Sequence, residues 1–364
     1  MKSLEEEAQK AADKAAGMPK SPYNPEDEEL QKILLGLKTN IKIIGVGGGG
    51  CNTVHRLAET GVVGAELIAA NTDAQHLLIV KAHKKIILGR RVTRGLGAGA
   101  IPAVGEEAAR EAEDDLKALL DGADIVFVTC GLGGGTGTGG APFIAHLAKE
   151  AGALTVVICT YPFKAEGMVR MENAEWGLER LRNVADTVIV IPNDKLLELV
   201  PKLALNSAFK VADEVLVRGI KGITEVVTKP GLVNLDFNDI KTVMKSGGVA
   251  MIGLGEGEDD DRAITAVNQA INSPLIDVDI SQATAALVNV TGGLDMTIKE
   301  AEEVAEIVQE KINQNARIIW GAAIDETLED TVRVMVIITG VKSKHILGPS
   351  EPKREKELGL EFIR

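Results

Sequence analysis

The sequence predicts an α/β protein: a mainly parallel sheet covered by helices on both faces, then a long central helix, then a smaller α+β C-terminal domain. Three observations carry this. From residue 40 onward, short apolar runs alternate with amphipathic stretches, the pattern of strand–helix units in a parallel sheet. Next comes a helical stretch, Leu205–Thr228, apolar around much of its circumference (Ala208, Val211, Ala212, Val215, Ile220, Ile223, Val226, Val227). Such a helix is expected to be buried between two domains. Beyond it strand signals outnumber helix signals, as in an α+β layer. At 364 residues the chain also exceeds what one hydrophobic core usually fills.

Residues 1–39 read as an N-terminal extension. An Ala/Glu/Lys-rich stretch leads to a linker broken by Pro19, Pro22 and Pro25, then to a helix signal at Pro25–Leu37 with acidic residues suited to its first turn. The expectation is a mobile extension plus a packing helix, with a partner-binding arm as the alternative. Residues 40–204 form the first domain. Its strands are expected at Ile41–Val46, Glu66–Asn71, Ile125–Cys130, Thr155–Thr160 and Thr187–Ile191, and its helices at Asn52–Thr60, Glu106–Leu120, Pro142–Ala151 and Asn173–Arg182. The central helix is assigned to 205–229 and the C-terminal domain to 230–341. There the expected strands are Val249–Leu254, Ala285–Val290, Arg317–Ala322 and Val332–Thr339, and the helices Ile240–Lys245, Arg262–Ile271 and Ile298–Ile312. Thr297 and Glu300 have the spacing of a capping box for the last helix. Residues 342–364 are a charged tail.

Composition narrows the function. A net charge of −13 with 3% aromatic residues argues against a nucleic-acid partner, which wants a basic surface and stacking platforms; the acidity reads as solubility. No apolar run approaches the roughly 20 residues that span a bilayer, so no direct membrane insertion is expected, and the charged N-terminus has no signal-peptide core. Cys51, Cys130 and Cys159 show no metal-ligand spacing and read as reduced thiols of a cytoplasmic protein.

The glycine-rich segments carry the chemistry. The first strand runs into Gly47, Gly48, Gly49, Gly50, Cys51 and Asn52. Residues without side chains let backbone amides approach an anion, and the following helix points its positive end there. Gly45, Gly47 and Gly50 also fit the G-x-G-x-x-G of a dinucleotide-binding unit, with Asp73 as its ribose acid. A second segment, Gly131 to Gly140, follows the strand at Ile125–Cys130 and contains Gly134, Gly135, Thr136, Gly137, Thr138 and Gly139. Two such loops at neighbouring strand ends make two anion sites, enough for a triphosphate, and the two threonines add hydroxyls. A third segment, Gly95 to Ala100 with Gly97, Ala98 and Gly99, can close the far side. No Gly-Lys-Ser/Thr follows the glycines, so this is not a Walker A loop. Each helix end supplies only about 0.3–2 kcal/mol whereas micromolar binding needs about 8 kcal/mol, so several loops must act together.

Gly133-Gly134-Gly135-Thr136-Gly137-Thr138-Gly139 resembles the signature loop of the tubulin/FtsZ family, in the form typical of its prokaryotic cell-division members. The resemblance runs from about residue 40 to 341 and implies a Rossmann-like GTPase domain, a central helix and a C-terminal activation domain. It implies GTP/GDP as the nucleotide and Mg²⁺ held mainly by the phosphates, with no metal ligand assigned to the protein. Ala70, Asn71 and Asp73 resemble the loop beside the γ-phosphate. Pro162, Glu166 and Arg170 resemble the ribose-contacting segment, although by spacing alone the last two also fit a surface helix pair. Asn193 and Asp213 resemble the guanine-reading pair, with Phe209 one turn before the aspartate. A carboxylate can accept from two adjacent N–H donors of guanine, which adenine does not offer. A helix-surface acid is the alternative for Asp213.

Asn234, Asp236 and Asp239 match the family's catalytic loop, which docks on the next subunit's nucleotide; by spacing alone the two acids also fit a helix N-cap. The implied protein is a homopolymer, a head-to-tail protofilament that hydrolyses GTP at its subunit interfaces at the division site. Where the family usually has asparagine before proline in the third loop, this chain has Ile101, which removes a polar contact. The tail Leu358–Arg364 loosely resembles the peptide by which family members bind membrane-tethering adaptors, without its usual proline; a frayed terminus is the alternative.

Overall fold

The computed structural model describes residues 39–199, 205–228, 237–245, 247–276, 278 and 280–341. The helix expected at Pro25–Leu37, the catalytic-loop candidates Asn234 and Asp236, and the tail peptide lie outside the described residues. Strand β1 (Ile41–Val46) leads into α1 (Gly47–Thr60), then β2 (Ala65–Asn71), α2 (Ala74–Ile79), β3 (Lys84–Ile87), α3 (Pro102–Glu111) and α4 (Glu113–Leu120). There follow β4 (Ile125–Gly131), α5 (Thr136–Glu150), β5 (Leu154–Tyr161), α6 (Met168–Val184), β6 (Thr187–Pro192), α7 (Asn193–Leu199) and the long α8 (Leu205–Thr228). The remainder is α9 (Phe237–Met244), β7 (Gly248–Gly257), α10 (Arg262–Ile271), β8 (Ala285–Gly292), α11 (Ile298–Lys311), β9 (Arg317–Ile324) and β10 (Val332–Thr339).

All these strands share one sheet, in the order β3-β2-β1-β4-β5-β6-β7-β10-β8-β9. The pairs from β3 to β6 are parallel, β7 joins β6 in parallel, and β10 runs antiparallel to β7 and β8. The C-terminal strands therefore continue the first sheet instead of forming a layer of their own. The junction is short: β6 and β7 are in register only from Thr187–Gly248 to Ile189–Ala250.

Alternation along the strands explains the two cores. In β1, Ile41 and Ile43 point to one face while Ile44 and Val46 point to the other; β4 repeats this with Ile125 and Phe127 against Val126 and Val128. Both faces are covered, so the strands read as unbroken apolar runs. Helix α8 covers one face across both halves of the sheet. Its Ala212, Val215, Ile220 and Ile223 are buried with Ile43 and Phe127 from the first half and with Ile252, Leu287 and Ile337 from the second. Burial of three successive residues, Val215–Val217, is what its unusually broad apolar surface predicts.

Local differences from the expected elements have local causes. Helices α1 and α5 begin at Gly47 and Thr136, inside the glycine segments, because loop and helix start are the same residues. The single helix expected over Glu106–Leu120 is instead α3 and α4, broken at Ala112. Edge strand β3 exposes Lys84 and Lys85, a charged edge that escapes an apolar-run search. The capping box forms as expected: Thr297 Oγ1 accepts from the Glu300 N–H at 3.2 Å, and Glu300 Oε2 accepts from the Thr297 N–H at 2.7 Å.

Ile101 is the N-cap residue of α3, is 57% exposed, and offers no side-chain cap. Asparagine there would accept from an unpaired amide of the first turn. The Ile101→Asn variant is expected to be stabilised by about 1 kcal/mol, measured by urea unfolding; an unchanged midpoint would refute the uncapped reading.

Candidate functional site

The C-terminal ends of β1, β4, β5 and β6 open into a cleft of about 390 Å³, within the range of small-molecule sites. Gly48, Gly49 and Asn52 line it from α1, and Gly131, Leu132, Gly134, Gly135, Thr136 and Gly137 from the second glycine segment. Gly99 reaches it from the third segment, Thr160, Pro162, Glu166 and Arg170 from the end of β5 and beyond, Asn193 from α7, and Ala212 and Asp213 from α8. A single cleft thus gathers residues from Gly48 to Asp213, a span of nearly half the chain.

Close backbone contact holds the loops together. Gly47 has φ +71°, and a Cβ there would stand 2.8 Å from the Gly137 nitrogen; only glycine lets the first and second segments touch. At Gly139 a Cβ would lie 1.9 Å from the Pro102 carbonyl oxygen, so α3 and α5 pack almost backbone to backbone. The Gly135 N–H donates to the Gly99 carbonyl at 2.9 Å, which ties the third segment to the second. Buried Thr72 and Thr136 share a hydrogen bond at 2.6 Å between their hydroxyls, linking the β2–α2 turn to the start of α5. The amide ends of α1 and α5 carry no acidic residue in their first turns, so their positive ends stay available to an anion.

The sequence-predicted residues fall into distinct positions. Cys51 is buried, its thiol set against the carbonyls of Gly45 and Ala70, and burial pushes that thiol up to about 12. Gly50, Ala70 and Gly139 are likewise buried. Ala98 packs under Gly135, and the Gly97 N–H donates to the Thr72 carbonyl at 3.1 Å. Thr138 is buried with its hydroxyl oxygen accepting from the Gly133 N–H at 2.9 Å, which holds the loop's own turn and leaves the O–H proton to donate elsewhere. Asp73 caps α2, its Oδ1 accepting from the His76 N–H at 3.0 Å, a position that does not suit a ribose acid. Glu166 accepts from the Phe163 N–H at 2.9 Å and also pairs with Arg170, so the surface-pair geometry and the cleft position coexist.

At the other end of the cleft, Asn193 is 5% exposed and its Oδ1 is buried without a hydrogen-bond partner. A buried amide oxygen left so is costly unless a ligand supplies the donor. Asp213 lines the same cleft from α8, 3.4 Å from the Arg56 guanidinium. Burial pushes its carboxyl up to about 6, with Arg56 acting the other way. Phe209 lies one turn earlier on α8. Asp239 is exposed in the first turn of α9 and does not line the cleft.

Three contributors were not picked out from the sequence. Arg56 follows Asn52 by one helical turn on α1, a spacing that could have flagged it. Asn173 on α6 donates to the Ala100 carbonyl at 3.0 Å and so braces the third segment. His76 joins Asn52 to Asn71; nothing in its local pattern marks it. Among the described residues, no group of three or more His, Cys, Asp or Glu is placed to hold a metal ion, and no helix is long and apolar enough to cross a membrane.

Comparison with known proteins agrees with this geometry. Residues 40–201 match the model of the Tubulin/FtsZ family, GTPase domain, and residues 248–342 that of the FtsZ family, C-terminal domain. The chain is 59% identical over 366 residues to "Cell division protein FtsZ 1" of Archaeoglobus fulgidus, covering 100% of both chains. It is 57% identical to the protein of that name from Pyrococcus abyssi, covering 92% of this chain and 90% of the relative. Among solved structures, the empty FtsZ dimer of M. jannaschii superposes with a TM-score of 0.84 at 55% identity, over 87% of this chain and 93% of that one. With two family models matching residues 40–201 and 248–342 and full-length relatives well over half identical, the chain belongs to the tubulin/FtsZ family.

Proposed function

We propose that the chain binds GTP in this cleft and hydrolyses it only where a second copy docks head to tail, presenting its Asn234–Asp239 segment to the nucleotide. GTP hydrolysis coupled to polymerisation is the activity of the family to which the chain belongs. The observation that carries the rest is the acid inventory of the cleft. Glu166 is tied to Arg170 and the Phe163 amide, and Asp213 faces Arg56. Neither stands free to activate water, so among the described residues the cleft binds without a general base of its own. By family resemblance, Asp236 and Asp239 supply one from outside. Two acids beside a triphosphate would repel it in a resting monomer; on a partner they arrive only with assembly, and hydrolysis then weakens the contact.

The phosphates are received by backbone amides and the ends of α1 and α5. Guanine is read by Asp213 and Asn193, whose unpartnered oxygen suits a base N–H. Mg²⁺ held mainly by the phosphates would neutralise their charge. We assign residues 40–204, 205–229 and 230–341 as GTPase domain, central helix and activation domain. The tail from 342 is read as a cytoplasmic tether to an adaptor at the division site.

Light scattering with GTP, GDP, and GTP plus EDTA tests the scheme. Scattering with GTP alone, and GTPase activity per molecule that rises steeply above a critical protein concentration, are expected. Flat specific activity across that range would contradict catalysis between copies.

The Asp213 carboxyl also makes a pH prediction. Its ligand-free value is raised from 3.8 to about 6, so its protonated form favours the folded ligand-free chain. That stabilisation is fully present below 3.8 and is lost as pH rises through about 6. Guanine needs the ionised form, so GTP binding near pH 6 should release a proton and weaken as pH falls further. Calorimetry in buffers of different ionisation enthalpy measures this; proton uptake would refute it.

A further inference from the structure

Asn52 lines the cleft, and its amide can turn either the oxygen or the NH₂ toward a ligand; only the NH₂ can donate to an anion. A chain of hydrogen bonds behind the cleft decides which. At the end of β2, Asn71 is 3% exposed and its Oδ1 accepts from the Thr72 N–H at 2.9 Å and from the Asp73 N–H at 3.4 Å. An NH₂ cannot sit against two N–H donors, so Asn71 Nδ2 points the other way, to His76 Nδ1 at 3.0 Å. Because Nδ2 donates, Nδ1 must be a bare acceptor, and the neutral ring carries its proton on Nε2. That nitrogen lies 2.9 Å from Asn52 Oδ1. Its N–H occupies the amide oxygen and leaves Asn52 Nδ2 for the cleft. The His76 backbone N–H, bound to Asp73 Oδ1 at 3.0 Å, keeps the ring at the start of α2.

We propose that His76 is a positioning residue: as the Nε2–H tautomer it locks the Asn52 amide so that its NH₂ donates to a phosphate of the bound nucleotide. Two segments far apart in sequence, the first glycine loop and the β2–α2 turn, are thereby set by one imidazole. The inference rests on the nucleotide-binding reading of the cleft.

The test is GTP affinity by calorimetry, at protein concentrations below assembly, for the wild type, His76→Ala, Asn52→Ala and the double variant. Each single change is expected to weaken binding about 10- to 150-fold, the range for a hydrogen bond to a charged group. Because His76 acts through Asn52, the double variant should bind no more weakly than Asn52→Ala alone. His76→Gln, which keeps an acceptor and a donor side by side, should recover most of the loss. Nitrogen-15 NMR of the wild-type ring should show the Nε2–H tautomer, a readout independent of whether any variant folds. Losses that multiply in the double variant, or a ring protonated on Nδ1, would overturn the relay. Failure of the wild-type chain to bind GTP would instead sink the nucleotide reading on which the relay rests.

Discussion

Alanine in place of Asp239 is expected to lower GTP turnover by about 10²–10⁴-fold, the range for loss of a positioned acid/base group, while leaving GTP binding by the isolated chain unchanged. The asymmetry follows from position. Asp239 is exposed on α9 and does not line the cleft of its own chain, so its removal takes nothing from the groups that receive the nucleotide. Its effect is confined to the attacking water held in line at an interface, and turnover is the quantity that should fall. Asp236→Ala should behave alike. A parallel loss of GTP affinity in the monomer would place these acids in the wrong site.

Changing Asp213 should produce the opposite signature. With alanine there, GTP affinity is expected to fall by about 10²–10⁴-fold, since two charge-assisted hydrogen bonds are lost together. Discrimination against ATP should fall with it, because the remaining contacts to phosphate and ribose are blind to the base. Arg56, 3.4 Å away, would be left facing the gap, which adds to the penalty. Asparagine at 213 sharpens the test. Its NH₂ can donate to the second carbonyl of xanthine while its oxygen accepts from N1–H, so xanthosine triphosphate should bind this variant better than GTP does. Equal loss for every purine nucleotide would mean that Asp213 holds the cleft's shape without reading the base.

Much of this architecture is legible in the residues, and the gaps have physical reasons. The buried strands and α8 are apolar enough that tertiary context could only confirm them, as the shared burial of Ile43, Phe127 and Ile337 with α8 illustrates. The glycine segments announce an anion site because little else needs so many residues without side chains at strand ends. What escaped was set by contacts between distant segments. The continuity of the sheet depends on a β6–β7 pairing of three residue pairs, too short to leave a pattern. Edge strand β3 is written in lysines. The hydrogen bond by which Thr138 accepts from the Gly133 N–H, holding the loop's turn, is likewise visible only in the fold. His76 matters through Asn71 and Asn52, positions 5 and 24 residues away.

If one active site is built from two copies of the chain, mixing two inactive variants restores activity. Asp239→Ala keeps an intact cleft; Asp213→Ala keeps an intact acid but a poor cleft. In a head-to-tail polymer of equal parts, about one interface in four pairs the good cleft of the first with the acid of the second. Steady-state GTPase activity of the mixture should therefore recover to about a quarter of the wild-type rate if the copies mix at random, although each variant alone is nearly inactive. Activity that stays at the sum of the two separate variants, in samples that light scattering shows to be co-assembled, would mean that each cleft carries its own catalytic groups.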